Sequence, residues 1–220
     1  MAAFQRLDHL LCDVPDIDEA FDLFHNRLGF PVAWPIGRFW PHGRTCGIAL
    51  GGANLEFIQN DNEPTREAVI RRIAFQPTAE LHDVLRREHI PFTVFEKRES
   101  DPELLLLRAL PADQGEQLLC TNTLPDEDKL EFPLFACEYA PIPKAALAPT
   151  AFEIPGDNAL LEIVIGHQEP AAVKSQLERL GIAAGVQIVA ERFPVRIVTQ
   201  LVMKNGAINL GAWPASFKFV

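Results

Sequence analysis

What this chain lacks excludes several classes of protein before any motif is considered. It is poor in positive charge: 20 Lys and Arg against 30 Asp and Glu give a formal net charge of -10. Duplex binding draws most of its affinity from basic side chains that neutralise phosphates, so nucleic acid is not an expected partner. No apolar run reaches the ~18 residues that a spanning helix needs. The opening Met1 to His9 lacks the basic-then-apolar order of a secretory signal. The expectation is a cytoplasmic protein with no membrane partner. Cys12, Cys46, Cys120 and Cys137 are widely spaced and form no C-x-x-C pair, which leaves no zinc knuckle or thioredoxin-type motif. Each sits among apolar neighbours and reads as a small buried hydrophobe.

What is present is ample apolar material, 48% of 220 residues, arranged in short runs. Arg6 to Val14 is apolar, brief and closed by Pro15, which suits a strand. A helix follows at once. Asp16 is placed to cap it, Asp18 and Glu19 suit the positive end of its dipole, and Ala20, Phe21, Phe24 and Leu28 recur at helical spacing. Gly29 supplies a left-handed stop. Three strand-like stretches come next, Pro31 to Trp34, Cys46 to Leu50 and Asn54 to Ile58, separated by turn-rich segments.

This β-α-β-β-β order recurs, and internal repetition constrains the whole architecture. A second copy opens with Ile70 to Gln76, and Thr78 starts a helix faced by Leu81, Val84 and Leu85. Strands are expected at Phe92 to Phe95 (paired with part of Glu103 to Arg108), Gln117 to Thr121 and Pro133 to Tyr139. The acidic stretch Pro125 to Lys129 reads as a solvated loop. Pro141, Pro143, Pro149 and Pro155 make a stiff connector. Beyond it come a strand at Ala159 to Ile165, a helix started by Pro170 and ending before Gly181, strands at Val186 to Val189, Arg196 to Met203 and Ala207 to Trp213, and a hairpin turn at Asn205-Gly206. The organisation is therefore residues 1–140 as paired modules (about 5–60 and 68–140), a 141–155 connector and a 156–220 third module. The fold class is α+β, with repeated βαβββ modules forming a cupped, mostly antiparallel sheet and a third, partial module at the C-terminus.

The residues Leu7-Asp8-His9, Pro15 to Phe21, Leu28-Gly29-Phe30 and Gly52 to Ile58 resemble the vicinal oxygen chelate superfamily, which includes glyoxalase I, extradiol dioxygenases and fosfomycin-resistance proteins. Over nearly its whole length the chain is similar to glyoxalase-like domain proteins. The second half carries this through Pro133 to Tyr139, the proline-rich link and Leu160 to Ile165. The resemblance implies two modules curled around a shared hollow, with ligands from the first and last strand of each. His9 and Glu56 match the first-module pair, and Glu138 falls where the second module's carboxylate is expected. Together these would hold a divalent metal (Zn, Fe, Mn, Ni or Mg), which favours imidazole and carboxylate donors. Glu56 and Glu138 are then the implied catalytic carboxylates of a lyase, isomerase or dioxygenase. A fourth ligand is missing, because the second module's first strand offers Arg71, Arg72 and Ile73 instead.

The residues also support a metal-free reading. Consecutive strand residues face opposite ways, so one of Arg71 and Arg72 is expected in the cup, with Arg72 binding an anionic group through its planar fork. The segment Gly37 to Arg44 reads as a loop over the cup, where Arg38, Trp40 and Arg44 neutralise and stack on a small acidic or aromatic ligand. Where superfamily members carry a Gly-Thr-His-Asn-like segment, this chain has Arg44-Thr-Cys-Gly47. Cys46 has no His/Asp relay in the sequence and reads as core. Three functions therefore stand side by side: a metal-assisted enzyme acting on a carbonyl, hydroxy-acid or catechol-like compound; a metal-free binding protein; and an assembly partner with a vestigial cup. A homodimer is one way to cover the third module's open sheet face.

Overall fold

The structure is a computed structural model and describes residues 2–40, 42–99, 117–141, 160–182, 186–190, 200–203 and 206–209. The first unit comprises strand β1 (Phe4–Asp13), helix α1 (Ile17–Phe21) and strands β2 (Val32–Trp40), β3 (Gly43–Ala49) and β4 (Asn54–Asn60). Asp16 caps α1 as expected: its Oδ1 accepts the backbone N–H groups of Asp18 at 2.9 Å and Glu19 at 3.0 Å. The helix widens into π-type turns over Asp22–Arg27 and stops near Gly29, whose φ of 75° suits a residue without a Cβ. The second unit repeats the order with β5 (Val69–Pro77), α2 (Leu81–Arg87), β6 (Phe92–Glu99), β7 (Gln117–Pro125) and β8 (Leu134–Tyr139).

The two units share one eight-stranded sheet, ordered β2-β3-β4-β1-β5-β8-β7-β6. β1 runs parallel to β4 and β5 parallel to β8, while the remaining pairs, including β1 with β5 at the centre, are antiparallel. Each unit is therefore paired identically, and the halves meet through their first strands. This is the cupped, mostly antiparallel α+β sheet that the repeat predicts.

Alternation along the strands sorts side chains onto two faces. Leu10, Cys12, Leu55, Phe57, Ile73, Phe75, Leu134 and Ala136 pack against Ile17, Ala20 and Phe24 of the first unit and Leu81, Val84 and Leu85 of α2. On the other face a smaller cluster of Ala74, Cys120, Phe135 and Cys137 forms the floor of a hollow.

The third unit comprises β9 (Leu160–His167), α3 (Pro170–Leu180), β10 (Val186–Ala190), β11 (Gln200–Met203) and β12 (Gly206–Asn209). Its chain order is again β-α-β-β-β, but its sheet order is β10-β9-β11-β12, with β10 directly beside and parallel to β9. Ile163, Ile165, Val173, Leu177 and Leu180 join the helix-side core of the large sheet. The docking is also polar: Gln176 accepts from the Glu131 N–H at 2.8 Å and donates to the Lys129 carbonyl at 2.9 Å. Ala3 N–H donates to the Leu180 carbonyl at 2.9 Å.

Several local expectations need correction. Gly37 to Arg44 is not a free loop, because Gly37, Arg38 and Trp40 pair with Thr45, Arg44 and Gly43 across a β2–β3 ladder. The acidic stretch contains a 3-10 turn, Glu127–Lys129, begun by Asp126, whose Oδ1 accepts the Asp128 N–H. The β11–β12 hairpin forms with Met203 opposite Gly206, so Gly206 lies in a strand rather than in the turn. The expected pairing of Glu103 to Arg108 and the 142–155 part of the proline connector lie outside the described residues. Among the described residues, no helix is long and apolar enough to cross a membrane.

Candidate functional site

The hollow has a volume of about 530 Å³ and lies on the face of the large sheet opposite α1 and α2. β1 contributes His9, Leu11 and Asp13; β4 contributes Glu56 and Ile58. The second unit supplies its far wall. His9 and Glu56 thus enter one shared space, as the resemblance implies.

A bulge organises the center of the site. Leu7 pairs with Phe75 and His9 with Ala74, so β1 spends two residues where β5 spends one. The extra residue is Asp8, and the irregularity brings consecutive side chains together, a use of bulges that recurs beside functional sites. Asp8 Oδ2 lies 2.7 Å from His9 Nδ1, while its Oδ1 accepts Gln76 Nε2–H at 2.9 Å. His9 Nε2 then faces Glu56 Oε2 at 3.5 Å, and the Thr45 hydroxyl donates to Glu56 Oε1 at 2.9 Å. The Phe135 ring meets the imidazole edge-on at a 5.5 Å centroid separation. Asp8, His9, Thr45 and Glu56 are all buried.

Burial alone would lower the His9 pKa. The Asp8 hydrogen bond and the charges of Asp8 and Glu56 outweigh it, and the imidazole is raised above its ordinary value. Burial alone would raise Asp8, but the hydrogen bond and charge of His9, helped by Gln76 and Arg6, bring it below the ordinary carboxylate value. Both ring nitrogens therefore face carboxylate oxygens, an environment that favors imidazolium.

The mouth is mixed in charge. Arg71 Nε donates to Asp13 Oδ2 at 2.8 Å, and Arg72 Nη2 pairs with Glu127 Oε1 at 2.6 Å. Both arginines line the hollow. The expectation that one alone would enter fails because β5 also bulges: Arg72 pairs with Leu11 and Ile70 with Cys12, leaving Arg71 as the extra residue. Lys97 adds a third cation from β6.

Other expected residues are elsewhere. Glu138 is exposed, while Phe135, Cys137 and Tyr139 line the hollow, so strand alternation turns Glu138 to the other face. Arg44 reaches the helix side, where it donates to Asp18 at 3.0 Å and Gln59 at 2.8 Å. Arg38 is exposed on β2. Neither Arg38 nor Arg44 lines the hollow, and the side chain of Trp40 lies outside the described residues. Cys46 belongs to the helix-side core, and burial, followed by the charges of Glu56 and Asp18, raises its thiol well above the ordinary value. Sequence reasoning missed Asp8, Thr45 and the Cys120, Asn122, Cys137 and Tyr139 group. The Asp-His dipeptide was a legible signal; the others depend on register.

Among the described residues, the donor set supplies only part of the shell that a divalent ion needs. Two donors, His9 Nε2 and Glu56 Oε2, face each other, and among the described residues no group of three or more His, Cys, Asp or Glu is arranged to hold a metal.

No protein-family model and no curated protein matches the chain. Solved structures similar to it include methylmalonyl-CoA epimerase from Mycobacterium tuberculosis, at 14% identity over 66% of this chain and 95% of that one, with a TM-score of 0.43. A homoprotocatechuate 2,3-dioxygenase from Brevibacterium fuscum is similar at 12% identity over 99% of this chain and 53% of its own, with a TM-score of 0.46. A halotolerant catechol dioxygenase is similar at 17% identity over 81% and 55%, also with a TM-score of 0.46. The chain spans about half the length of the two dioxygenases.

Proposed function

We propose that this chain is a small-molecule enzyme of the glyoxalase-like kind that moves a proton on a compact oxo or hydroxy acid bound in the cup. The observation that carries the reading is the buried line Asp8, His9, Glu56, at 2.7 and 3.5 Å, ending in the hollow. Asp8 fixes the ring and supports its positive charge. His9 serves as the acid that meets a substrate oxygen, and Glu56, steadied by Thr45, as the base that takes a proton from carbon or oxygen. Arg72, with Arg71 and Lys97, offers cations at the mouth for the substrate's carboxylate.

The test is solvent-deuterium exchange, followed by proton NMR, on a panel of short 2-oxo and 2-hydroxy acids with wild-type protein and with Glu56→Gln. Exchange at the carbon beside the carbonyl or hydroxyl, lost in the variant, is the expected result. Binding of panel members without exchange would replace the enzyme with a binding protein.

A second reading has its own support. A carboxylate holding the far nitrogen of a histidine is a common outer-shell arrangement around metal ligands, and Asp8 stands in that relation to His9. Under it, His9 and Glu56 would hold a divalent ion that polarises a substrate oxygen, with the remaining donors supplied by substrate or water. Elemental analysis of the purified protein separates the two readings.

A further inference from the structure

The buried face of α3 carries one residue that an apolar stripe would not choose. Val173, Leu177 and Leu180 follow helical spacing into the core, and Gln176 is buried among them. A buried amide is tolerated where both of its ends find partners. Gln176 Oε1 accepts the Glu131 N–H at 2.8 Å and its Nε2 donates to the Lys129 carbonyl at 2.9 Å. The third unit thereby holds the backbone at the far side of the Glu127–Lys129 turn. The near side is held within the second unit, where the Asp126 N–H donates to the Pro91 carbonyl at 2.8 Å.

The turn clamped in this way presents Glu127, whose Oε1 lies 2.6 Å from Arg72 Nη2. Arg72 lines the hollow, and it also lines a second cavity of about 580 Å³ bounded by Pro91, Phe92, Pro125 and Glu127. A long side chain on the boundary of two spaces has more than one place to rest, and holding it in one of them in advance lowers the cost of binding there. The Glu127 contact occupies one nitrogen of the guanidinium fork and leaves its other donors for a ligand.

We propose that Gln176 is a positioning residue for the anion site: it fixes the turn that presents Glu127, and Glu127 fixes Arg72 at the wall of the hollow. The inference rests on the reading of Arg72 as the group that receives the substrate's carboxylate. It gives the third unit a part in the site although none of its described residues lines the hollow. The neighbouring Arg71 is the built-in control, because it is tethered to Asp13 of the first unit at 2.8 Å and has no link to the turn.

The experiment treats the full chain with phenylglyoxal, an arginine reagent, and follows Arg72 and Arg71 by tandem mass spectrometry, with the Arg72 rate expressed relative to Arg71. Glu127→Ala should raise this ratio about tenfold, the scale of one charge-assisted hydrogen bond. Glu127→Gln loses the same charge but keeps an acceptor, so its rise should be smaller. Gln176→Met, similar in length, should raise the ratio about threefold in the wild-type background and add nothing to Glu127→Ala, as two residues acting through one contact require. A residue that merely stabilises the fold would change Arg71 and Arg72 alike in either background. An unmoved ratio in Gln176→Met, or the same rise with and without Glu127→Ala, would overturn the proposal. So would loss of folding in both Gln176→Met and Gln176→Glu, because the residue would then be holding the fold rather than the turn. A separate arm adds 2-oxobutanoate, which should protect Arg72 in the wild type and protect it less in Gln176→Met. Coupling without protection would uphold the positioning and sink the carboxylate reading of Arg72, whereas protection without coupling would do the reverse.

Discussion

Asp8 and His9 are neighbours in sequence on one strand, yet their side chains meet at 2.7 Å because β1 bulges between its pairings with Phe75 and Ala74. The contact links protonation to folding. His9 is raised in the folded chain, so its contribution is complete below the ordinary value of 6.5 and is lost as pH climbs through the folded value. Asp8 is lowered, so its contribution is present above the ordinary value of 3.8 and is lost as pH falls through its folded value. Both terms operate together between those ordinary values. Urea denaturation across this range should find the pair's contribution greatest near about pH 5, where Asp8→Asn should cost about 3 kcal/mol, as for one partner of a buried pair removed. A variant with the same pH profile as the wild type would sink this linkage.

Glu56 and Thr45 test the chemistry without changing shape. Glu56→Gln keeps the side chain's volume and removes the base, so exchange on a responsive substrate should fall by about 100-fold or more. Thr45→Val removes the hydroxyl that holds Glu56 Oε1 at 2.9 Å; its expected loss is smaller, about tenfold. Parallel exchange assays give the ratio, and a Thr45→Val defect larger than that of Glu56→Gln would place the base elsewhere.

The repeat, the capped first helix and the His9–Glu56 pairing were legible because each depends on local order: an Asp before a helical period, apolar runs at recurring intervals, and two motifs in matching strands. The remaining features depend on register, which periodicity leaves open. Glu138 turns away because Cys137 and Tyr139 take the hollow-facing positions. Arg71 and Arg72 share the mouth because one residue is inserted, and no alternation rule anticipates an insertion. Arg38 and Arg44 read as a rim loop because Gly and Pro bracket them; the ladder from Gly37 to Thr45 overrides that turn chemistry.

Arg72 separates binding from stability. Its ion pair with Glu127, at 2.6 Å, is partly exposed on both sides, and such pairs contribute little to folding. Arg72→Ala should therefore shift the unfolding free energy by less than about 0.5 kcal/mol. Loss of one charge-assisted hydrogen bond should nevertheless weaken binding of an anionic ligand about tenfold. Calorimetric titration of the variant against the best exchange substrate checks this. Unchanged affinity would move the anion site to Arg71 or Lys97.

Two facing donors make a weak hold on a divalent ion, since stable sites complete their shells with further protein ligands. Protein purified without chelator and passed through gel filtration should carry substoichiometric transition metal, and chelator should leave exchange activity unchanged. Stoichiometric metal that disappears in a His9→Ala/Glu56→Ala variant would instead establish the metal-assisted reading.

Gly47 provides a test of the hairpin that carries Thr45. It pairs with Trp34, and a Cβ added there would lie 2.3 Å from the indole ring, so alanine cannot be accepted unless the buried ring moves. Overpacking of this kind costs about 1–3 kcal/mol. Gly29 provides a contrast: a Cβ there meets nothing within 4 Å, and the only penalty comes from its φ of 75°. Thermal melts of Gly47→Ala and Gly29→Ala should therefore show the larger loss at Gly47. A displaced Trp34 would also shift Thr45 relative to Glu56, so Gly47→Ala should lower exchange activity in the folded fraction while Gly29→Ala leaves it intact. Equal effects of the two variants on activity would separate the hairpin from the positioning of Glu56.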